Sequence, residues 1–356
     1  MDNYFKNKSI ALFFGGRSPE HEVSINSSKT IYPILEKLFK NVFLIYVSKI
    51  GNYYLINCDK DFKIDKNFKI TDIIKVKNEI TFAPNKGILL NNNLLEISLA
   101  FILIHGNEGE DGKLQGLLDI VNIKYTGVNS TSSGICIYKE LARQILNSNN
   151  INTVDTVVIK KSDIIPDLEK IQKRLNKSLF IKSETTGSSI GITALKNPSN
   201  QTFLKAIKHS FKYSNRVLIQ PLLEDIKEIE VAILEKRDHS LIAGGPGLVI
   251  KSNMKDILSY DKKYGEIDSA TINTEVIKDN NFKLEMKREA IKIFKLLNLS
   301  GFSRIDFFLY KNKIILNEIN TIPGLTSKSH YPILIKSENI SLIDAIYEIC
   351  RVAYDK

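Results

Sequence analysis

The apolar residues of this chain fall into two patterns, short unbroken runs and stripes at helical spacing, and the two alternate from the start. "SIALFFGG" (9–16) reads as a buried strand running into a glycine turn. In "EHEVSINSSKTIYPILEKLF" (20–39), Val23, Ile31, Ile34, Leu35 and Leu38 recur with helical spacing, and "NVFLIYVS" (41–48) is a second strand. Strand, helix, strand predicts the βαβ opening of a parallel sheet. Residues 51–93 are polar and uneven, with short pieces such as "YYLI" and "EITFAP", and read as an insertion of strands and loops. "LEISLAFILIHG" (95–106) is another buried strand, and "TSSGICIYKELARQILNS" (131–148) reads as one helix. "SLFIKSETTGSSIGITAL" (178–195) is strand, polar loop, strand; "RVLIQPLL" (216–223) and "EIEVAIL" (228–234) are strands; "NFKLEMKREAIKIFKLLNL" (281–299) is a long amphipathic helix. The fold class is mixed α/β.

"SRIDFFLYKNKIILNEIN" (303–320) carries chemistry in its alternation. Two strands around a polar turn at Lys311–Lys313, centred on Asn312, place Asp306 opposite Glu318 and Arg304 opposite Asn320, all on one face. The other face, Ile305, Phe307, Leu309, Ile315, Asn317 and Ile319, is mostly core-like. Two carboxylates facing across a sheet repel, so removing one is expected to leave the metal-free fold no weaker. A divalent cation between them, with the Asn320 amide oxygen, turns the clash into coordination. The all-oxygen set suits Mg²⁺ or Mn²⁺ rather than zinc. An ordinary salt-bridged hairpin is the alternative, but a like-charged pair on apolar strands favours the metal site.

Composition narrows the classes. The 356 residues suffice for two or three domains. A hydrophobic share of 43% and a charged share of 25% indicate a soluble globular protein. No apolar run is long enough to cross a membrane, and "MDNYFKNKSI" lacks an apolar signal core. Cys58, Cys136 and Cys350 are few, odd in number and far apart, which suits buried thiols in a reducing cytoplasm. The net charge of +10 raises the question of nucleic acid, but the lysines are scattered and form no compact basic block. A moderately basic enzyme that handles phosphates is the better reading, with neither nucleic acid nor membrane as partner.

Four further stretches suggest a site. "KSETTGSSIG" (182–191) is a small-residue loop whose backbone N–H groups could cover phosphates beside Lys182; a plain hairpin tip is an equal reading, and no Walker or Rossmann pattern is present. "IHGNEGEDGKLQGLLD" (104–119) puts His105 at the carboxyl end of a strand, where α/β sheets gather ligands. A satisfied structural histidine is the alternative. "GGRSPEHEVS" (15–24) places Glu20 at a helix start, to bind a charged ligand or to cap the helix. "SYDKKYGEIDSA" (259–270) holds Lys263 and Tyr264 in what reads by itself as a mobile loop.

In this order the set resembles the D-alanine–D-alanine ligases of the ATP-grasp superfamily. "HGNEGEDGKLQG" (105–116) is similar to that family's N-terminal signature and "GFSRIDFFLYKNKIILNEINTIPG" (301–324) to its C-terminal one. The resemblance spans essentially the whole chain. It implies a three-domain ATP-grasp architecture with an N-terminal open parallel sheet domain: 1–127 for the first substrate, 128–222 with the phosphate loop, and 223–356 with the metal and catalytic residues. It implies ATP and two Mg²⁺ (or Mn²⁺), held by Asp306, Glu318 and Asn320, a cytoplasmic step in peptidoglycan precursor synthesis, and a homodimer. Lys139, Lys182, Ser188 and Ser189 become phosphate contacts. Gln220, Pro221, Leu223, Glu228, Phe307 and Asn317 become nucleotide contacts. Glu20, His105, Ser188, Lys263 and Tyr264 hold the first D-alanine, Arg304 and the Gly324 N–H clamp the tetrahedral intermediate, and Ser329 with neighbouring His330 meets the second substrate.

Three departures from the family pattern stand out. Ser183 and Thr186 replace the proline and glutamate of "KPxxEGSS", removing a loop-to-loop contact. Pro221 stands where a residue with an N–H is common, although its carbonyl remains for a hinge. His330 replaces an apolar residue. A ligase joining D-alanine to D-lactate is a close rival, a glutathione-synthetase-like ligase another, and a non-enzymatic binding protein an outsider.

Overall fold

A fully buried strand opens the molecule. In the computed structural model, which describes residues 3–56, 78–187, 190–250 and 270–356, β1 (Ser9–Gly15) is buried at every position. α1 (His21–Leu38), β2 (Asn41–Val47) and β3 (Tyr53–Leu55) follow, then β4 (Ile80–Ala83), β5 (Gly87–Leu90), β6 (Asn93–Leu94), β7 (Leu99–Ile102) and α2 (Lys113–Ile120). The first sheet has the order β3-β2-β1-β7, with β2 and β7 both parallel to β1. β3 adds an antiparallel edge, so the start of the expected insertion belongs to this sheet, while β4-β5-β6 form a small sheet of their own. Residues 57–77 of that stretch lie outside the described residues.

α1 corrects the expected helical stripe. Val23 is exposed, and the buried face is instead made by His21, Ser24, Ile25, Ser27, Ser28, Ile31, Tyr32, Leu35 and Leu38. Ser24 belongs there because the helix start packs on strand-end backbone. Ser24 Oγ accepts from Gly15 N (2.8 Å) and donates to the Leu103 carbonyl (2.6 Å), leaving those polar groups paired where water is excluded.

The middle of the chain supplies α3 (Ser130–Ile137), α4 (Lys139–Asn147), β8 (Val157–Lys160), α5 (Leu168–Arg174), β9 (Leu179–Ser183), β10 (Thr193–Leu195), α6 (Asn200–Ser210) and β11 (Arg216–Pro221). Its antiparallel sheet runs β10-β9-β11-β8. The single helix expected over 131–148 is two. Tyr138 leaves helical geometry at ψ 84°. The residues before it, Gly134, Ile135 and Ile137, are poor helix formers. The break puts Lys139 in the first turn of a new helix.

β12 (Lys227–Glu235), β13 (Leu241–Ile250), β14 (Thr271–Asn273), α7 (Asn280–Leu296), β15 (Phe302–Tyr310), β16 (Lys313–Asn320), α8 (His330–Lys336) and α9 (Leu342–Asp355) complete the chain. Their sheet is antiparallel, in the order β14-β13-β12-β15-β16. α7 covers one face with Met286, Ala290, Ile293 and Phe294, spaced as one helical stripe. α9 buries Ala345, Ile346, Ile349 and Cys350 in the cluster that holds Ile10, Leu12, Phe101, Phe302 and Tyr331. One apolar core thus fixes the first sheet against the last. Cys136 and Cys350 are buried free thiols; Cys58 lies outside the described residues.

The β15–β16 hairpin keeps the expected pairing for a different reason. Tyr310 pairs with Lys313, so the turn is Lys311–Asn312 alone, both at positive φ (49° and 60°) as a type I′ turn requires. That register alone would set Asp306 against Asn317. A bulge just beyond Asp306 absorbs one residue and restores Asp306 opposite Glu318 and Arg304 opposite Asn320. It also swaps the core face of β16: Ile314, Leu316 and Ile319 pack inward, rather than Ile315 and Asn317. Lysine gains nothing from a left-handed backbone, so Lys311→Gly should raise stability by on the order of 0.5–1 kcal/mol, the left-handed penalty less glycine's entropy. Lys311→Val should lower it, since β-branched residues resist positive φ. Thermal midpoints moving together would contradict the turn.

Candidate active site

Three carboxylates, not two, lie in a row across this sheet. Glu230 on β12 is the strand partner of Asp306, which is the partner of Glu318. Arg304 resolves most of the repulsion. Its Nε and Nη2 donate to the two oxygens of Asp306 at 2.8 Å each, and Nε also lies 3.1 Å from Glu230 Oε2. Asn320 Nδ2 adds a 2.9 Å bond to Asp306. Burial pushes the Asp306 carboxyl up despite the guanidinium beside it. The sign of the earlier expectation therefore reverses: removing Asp306 strips a bidentate partner from a buried cation rather than relieving strain.

A cavity opens between the middle and last sheets. Lys139, Lys182 and Gln220 line it from one side, and Asn317, Glu318 and Asn320 from the other. Lys139 Nζ donates to the Thr186 carbonyl (2.9 Å) and lies 3.9 Å from Glu318. Lys182 is buried, and burial together with the neighbouring Lys139 charge lowers its pKa to about 8, with Glu318 opposing. Two amines facing one carboxylate leave room for further negative charge. Gln220 is held by Thr156 Oγ1 (3.0 Å). Pro221, Leu223 and Glu228 are not among the lining residues. Phe307 is placed elsewhere: it is 1% exposed in the apolar layer under α7, on the strand face opposite Asp306.

The loop after β9 explains its own departures. Ser183 Oγ hydrogen-bonds Thr186 Oγ1, and Thr186 Oγ1 in turn donates to the Ile190 carbonyl (2.8 Å). The two substitutions make one internal brace. Ser188, Ser189, Lys263 and Tyr264 lie outside the described residues.

A second cluster sits where loop 105–112 meets the segment after β16. His105 is buried, and its Nδ1 donates to the Ile322 carbonyl (2.9 Å). Burial lowers its pKa, so the ring is neutral and Nε2 is an acceptor, with no hydrogen-bond partner among the described residues. Glu110 accepts from Gly106 N (2.8 Å) and Ile322 N (2.9 Å), and burial pushes its carboxyl up to about 7. Ile322 is held through both its N–H and its carbonyl, which anchors the turn carrying Gly324. Glu20 is the N-cap of α1 but makes no side-chain cap bond. Gly106 and Gly187 approach its carboxylate so closely that a Cβ on them would lie 3.0 and 3.5 Å from Oε2. Ser329 Oγ accepts from Thr326 N (3.1 Å) and closes on Gly324, where a Cβ would meet it at 2.8 Å. His330 has both ring nitrogens engaged, Nδ1 with Glu230 Oε2 (2.8 Å) and Nε2 with the Ala270 carbonyl (3.0 Å).

Sequence reasoning missed Glu230 and Glu110. Glu230 lies two residues after Glu228 on the same strand face, a visible repeat whose meaning depends on the partner strand. Glu110 stood within a quoted motif, but its partners are backbone groups far along the chain.

Two antiparallel sheets closing on a cavity lined by lysines and carboxylates define an ATP-grasp ligase fold. Family models described as D-ala D-ala ligase N-terminus and C-terminus match residues 9–128 and 145–351, and the chain belongs to the D-alanine–D-alanine ligase family. A D-alanine–D-alanine ligase from Coxiella burnetii is 32% identical over 359 residues, covering 98% of this chain and 94% of its own. A solved D-alanine–D-alanine ligase from the same organism superposes with a TM-score of 0.84 at 29% identity, covering 98% of this chain and 94% of that one. The D-Ala:D-Ser ligase VanG of Enterococcus faecalis does so at 0.83 and 29%, covering 97% and 98%.

Lys182 gives a test. A lysine with a lowered pKa weakens the fold while it is charged in both states, below about pH 8. The cost fades as pH rises from there toward the ordinary lysine value. Lys182→Met should therefore stabilise the nucleotide-free protein at pH 7, and the gain should vanish by about pH 10. ATP affinity at pH 7 should fall about tenfold or more. Thermal midpoints of both proteins across pH check the first part, and parallel curves would contradict it.

Proposed function

We propose that the chain joins two D-alanines into D-alanyl-D-alanine at the expense of ATP. The observation that carries this is the meeting of Lys139 and Lys182 with Glu318 and Asn320 in one cavity, beside Arg304. The γ-phosphoryl group passes to a carboxylate oxygen of the first D-alanine, leaving ADP. The neutral amine of the second then attacks the acyl carbon, a C–N bond forms as the C–O bond to phosphate breaks, phosphate leaves, and the nitrogen gives one proton to solvent and keeps the other as the amide N–H. Lys139 and Lys182 hold the phosphates. Glu20 and the Nε2 acceptor of His105 receive the first substrate's ammonium. Arg304, which has Nη1 left beyond its carboxylate bonds, and the Gly324 N–H stabilise the oxyanion. Ser329 receives the second carboxylate.

Asp306, Glu318 and Asn320 would hold two Mg²⁺ or Mn²⁺ ions. The fit rests on their donors, two carboxylates and an amide on one sheet face, all oxygen. When bound, the cations neutralise phosphate charge. The same reading places the enzyme in the cytoplasm, supplying peptidoglycan precursors as a homodimer, with domain boundaries near residues 127 and 222.

The decisive experiment supplies ATP and Mg²⁺ with equal D-alanine, D-lactate and D-serine, and identifies products by mass. D-alanyl-D-alanine should dominate at neutral pH. A dominant D-alanyl-D-serine product would favour the activity named for VanG, and a depsipeptide the lactate reading. Arg304→Ala should lower kcat by about 10²–10³ with ATP affinity largely kept. Arg304→Lys should fail as well, because an ammonium cannot replace the fork that holds Asp306. Equal losses of ATP binding and turnover would make Arg304 a phosphate anchor instead.

A further inference from the structure

His330 and Glu230 form a unit that the ligase chemistry above leaves without a task. Glu230 Oε2 receives Arg304 Nε at 3.1 Å and His330 Nδ1 at 2.8 Å. His330 Nε2 faces the Ala270 carbonyl at 3.0 Å. Both of the ring's nitrogens face acceptors, and a neutral imidazole can donate from only one. Burial works against a charge here, yet the Glu230 carboxylate outweighs it and holds His330 above the ordinary histidine range. Glu230, 7% exposed, is thus shared between two cations. With both donors spent on the protein, His330 has none to offer a substrate carboxylate, although Ser329 beside it begins the same helix.

The arrangement bears on Arg304 directly. Its Nε is shared between Asp306 and Glu230. Asp306 grips one edge of the guanidinium, and Glu230 fixes where Nε sits on that edge. Without His330, the Glu230 carboxylate has only Arg304 among the described residues to answer its charge and draws the guanidinium toward β12. With His330 present, part of that charge is met from α8, and Arg304 stays on Asp306.

We infer that Glu230 and His330 are positioning residues for Arg304, the histidine acting through the glutamate, and that His330 is not a contact for the second substrate. The inference rests on the ligase reading for Arg304's role but not for its geometry.

The test compares His330→Leu, His330→Asn, Glu230→Gln and the Glu230→Gln/His330→Leu double variant, using whichever acceptor the wild type consumes. His330→Leu and Glu230→Gln should each lower kcat roughly tenfold to hundredfold, the scale of a misplaced catalytic group, with KM for the acceptor within about twofold. The double variant should be no worse than Glu230→Gln alone, because the histidine acts only through the glutamate. His330→Asn, which keeps a donor for Glu230, should recover part of the loss. An acceptor KM raised about tenfold at unchanged kcat would overturn the inference in favour of direct substrate contact. So would losses that multiply in the double variant, or a loss of ATP affinity, since neither residue lines the nucleotide cavity. The NMR signal of the Arg304 Nε–H provides a readout free of turnover. It should shift in His330→Leu, which leaves Arg304's own partners in place. An unmoved signal would overturn the inference even in an enzyme with another substrate, whereas a wild type that makes no dipeptide would sink only the ligase reading.

Discussion

A single guanidinium holds together a row of carboxylates that would otherwise drive three strands apart. Glu230, Asp306 and Glu318 are successive partners across β12, β15 and β16. Like charges directly opposite on a sheet are destabilising, and burial makes them more so. Arg304 answers the first two, and Lys139, from the neighbouring sheet, lies 3.9 Å from the third. The surrounding features follow from this constraint. The bulge beyond Asp306 brings Glu318 onto the row, the broken helix at Tyr138 starts a new one at Lys139, and α8 brings His330 to Glu230. The site keeps a concentration of acidic groups beside the cavity between the two sheets. It stays folded because Arg304 matches two of them and Lys139, from a separate helix, faces the third.

The second constraint is mechanical. The turn bearing Gly324 follows β16 without secondary structure of its own. It is held from outside, by His105 on the Ile322 carbonyl and Glu110 on the Ile322 N–H. Loop 105–112 belongs to the first sheet and the turn to the last, and the shared core between α9 and β1 keeps them in register. The turn bearing Gly324 is therefore positioned by a different part of the chain from the one that carries Arg304.

Much of this was legible in the sequence because it depends on local periodicity. The β1–α1–β2 opening, the antiparallel pair around the phosphate loop and the Asp306–Glu318 pairing all follow from spacing. The last came out right although a symmetric hairpin is not what forms. A two-residue turn and a one-residue bulge offset each other, and no period of two can reveal an even number of such shifts. What was not legible depended on neighbours distant in the chain. Glu230 is ordinary until β12 is known to lie beside β15. His330 reads as a substrate contact until Glu230 and Ala270 are seen to occupy both nitrogens. Val23 has the right spacing for a core helix, but the start of that helix packs on backbone, where Ser24 is needed. Lys263, Tyr264, Ser188 and Ser189 entered through family resemblance, and the structure describes none of them.

The most direct test of the charge row is a stability comparison in the absence of divalent cations. Arg304→Met leaves buried carboxylates unmatched and should cost about 3–5 kcal/mol, the usual penalty for removing one partner of a buried ion pair. Adding Asp306→Leu removes the stranded charge together with its partner, and the double variant should recover most of that loss in denaturant unfolding. A double variant as unstable as the sum of the two single changes would contradict the account, because Arg304 would then not be what makes the row tolerable.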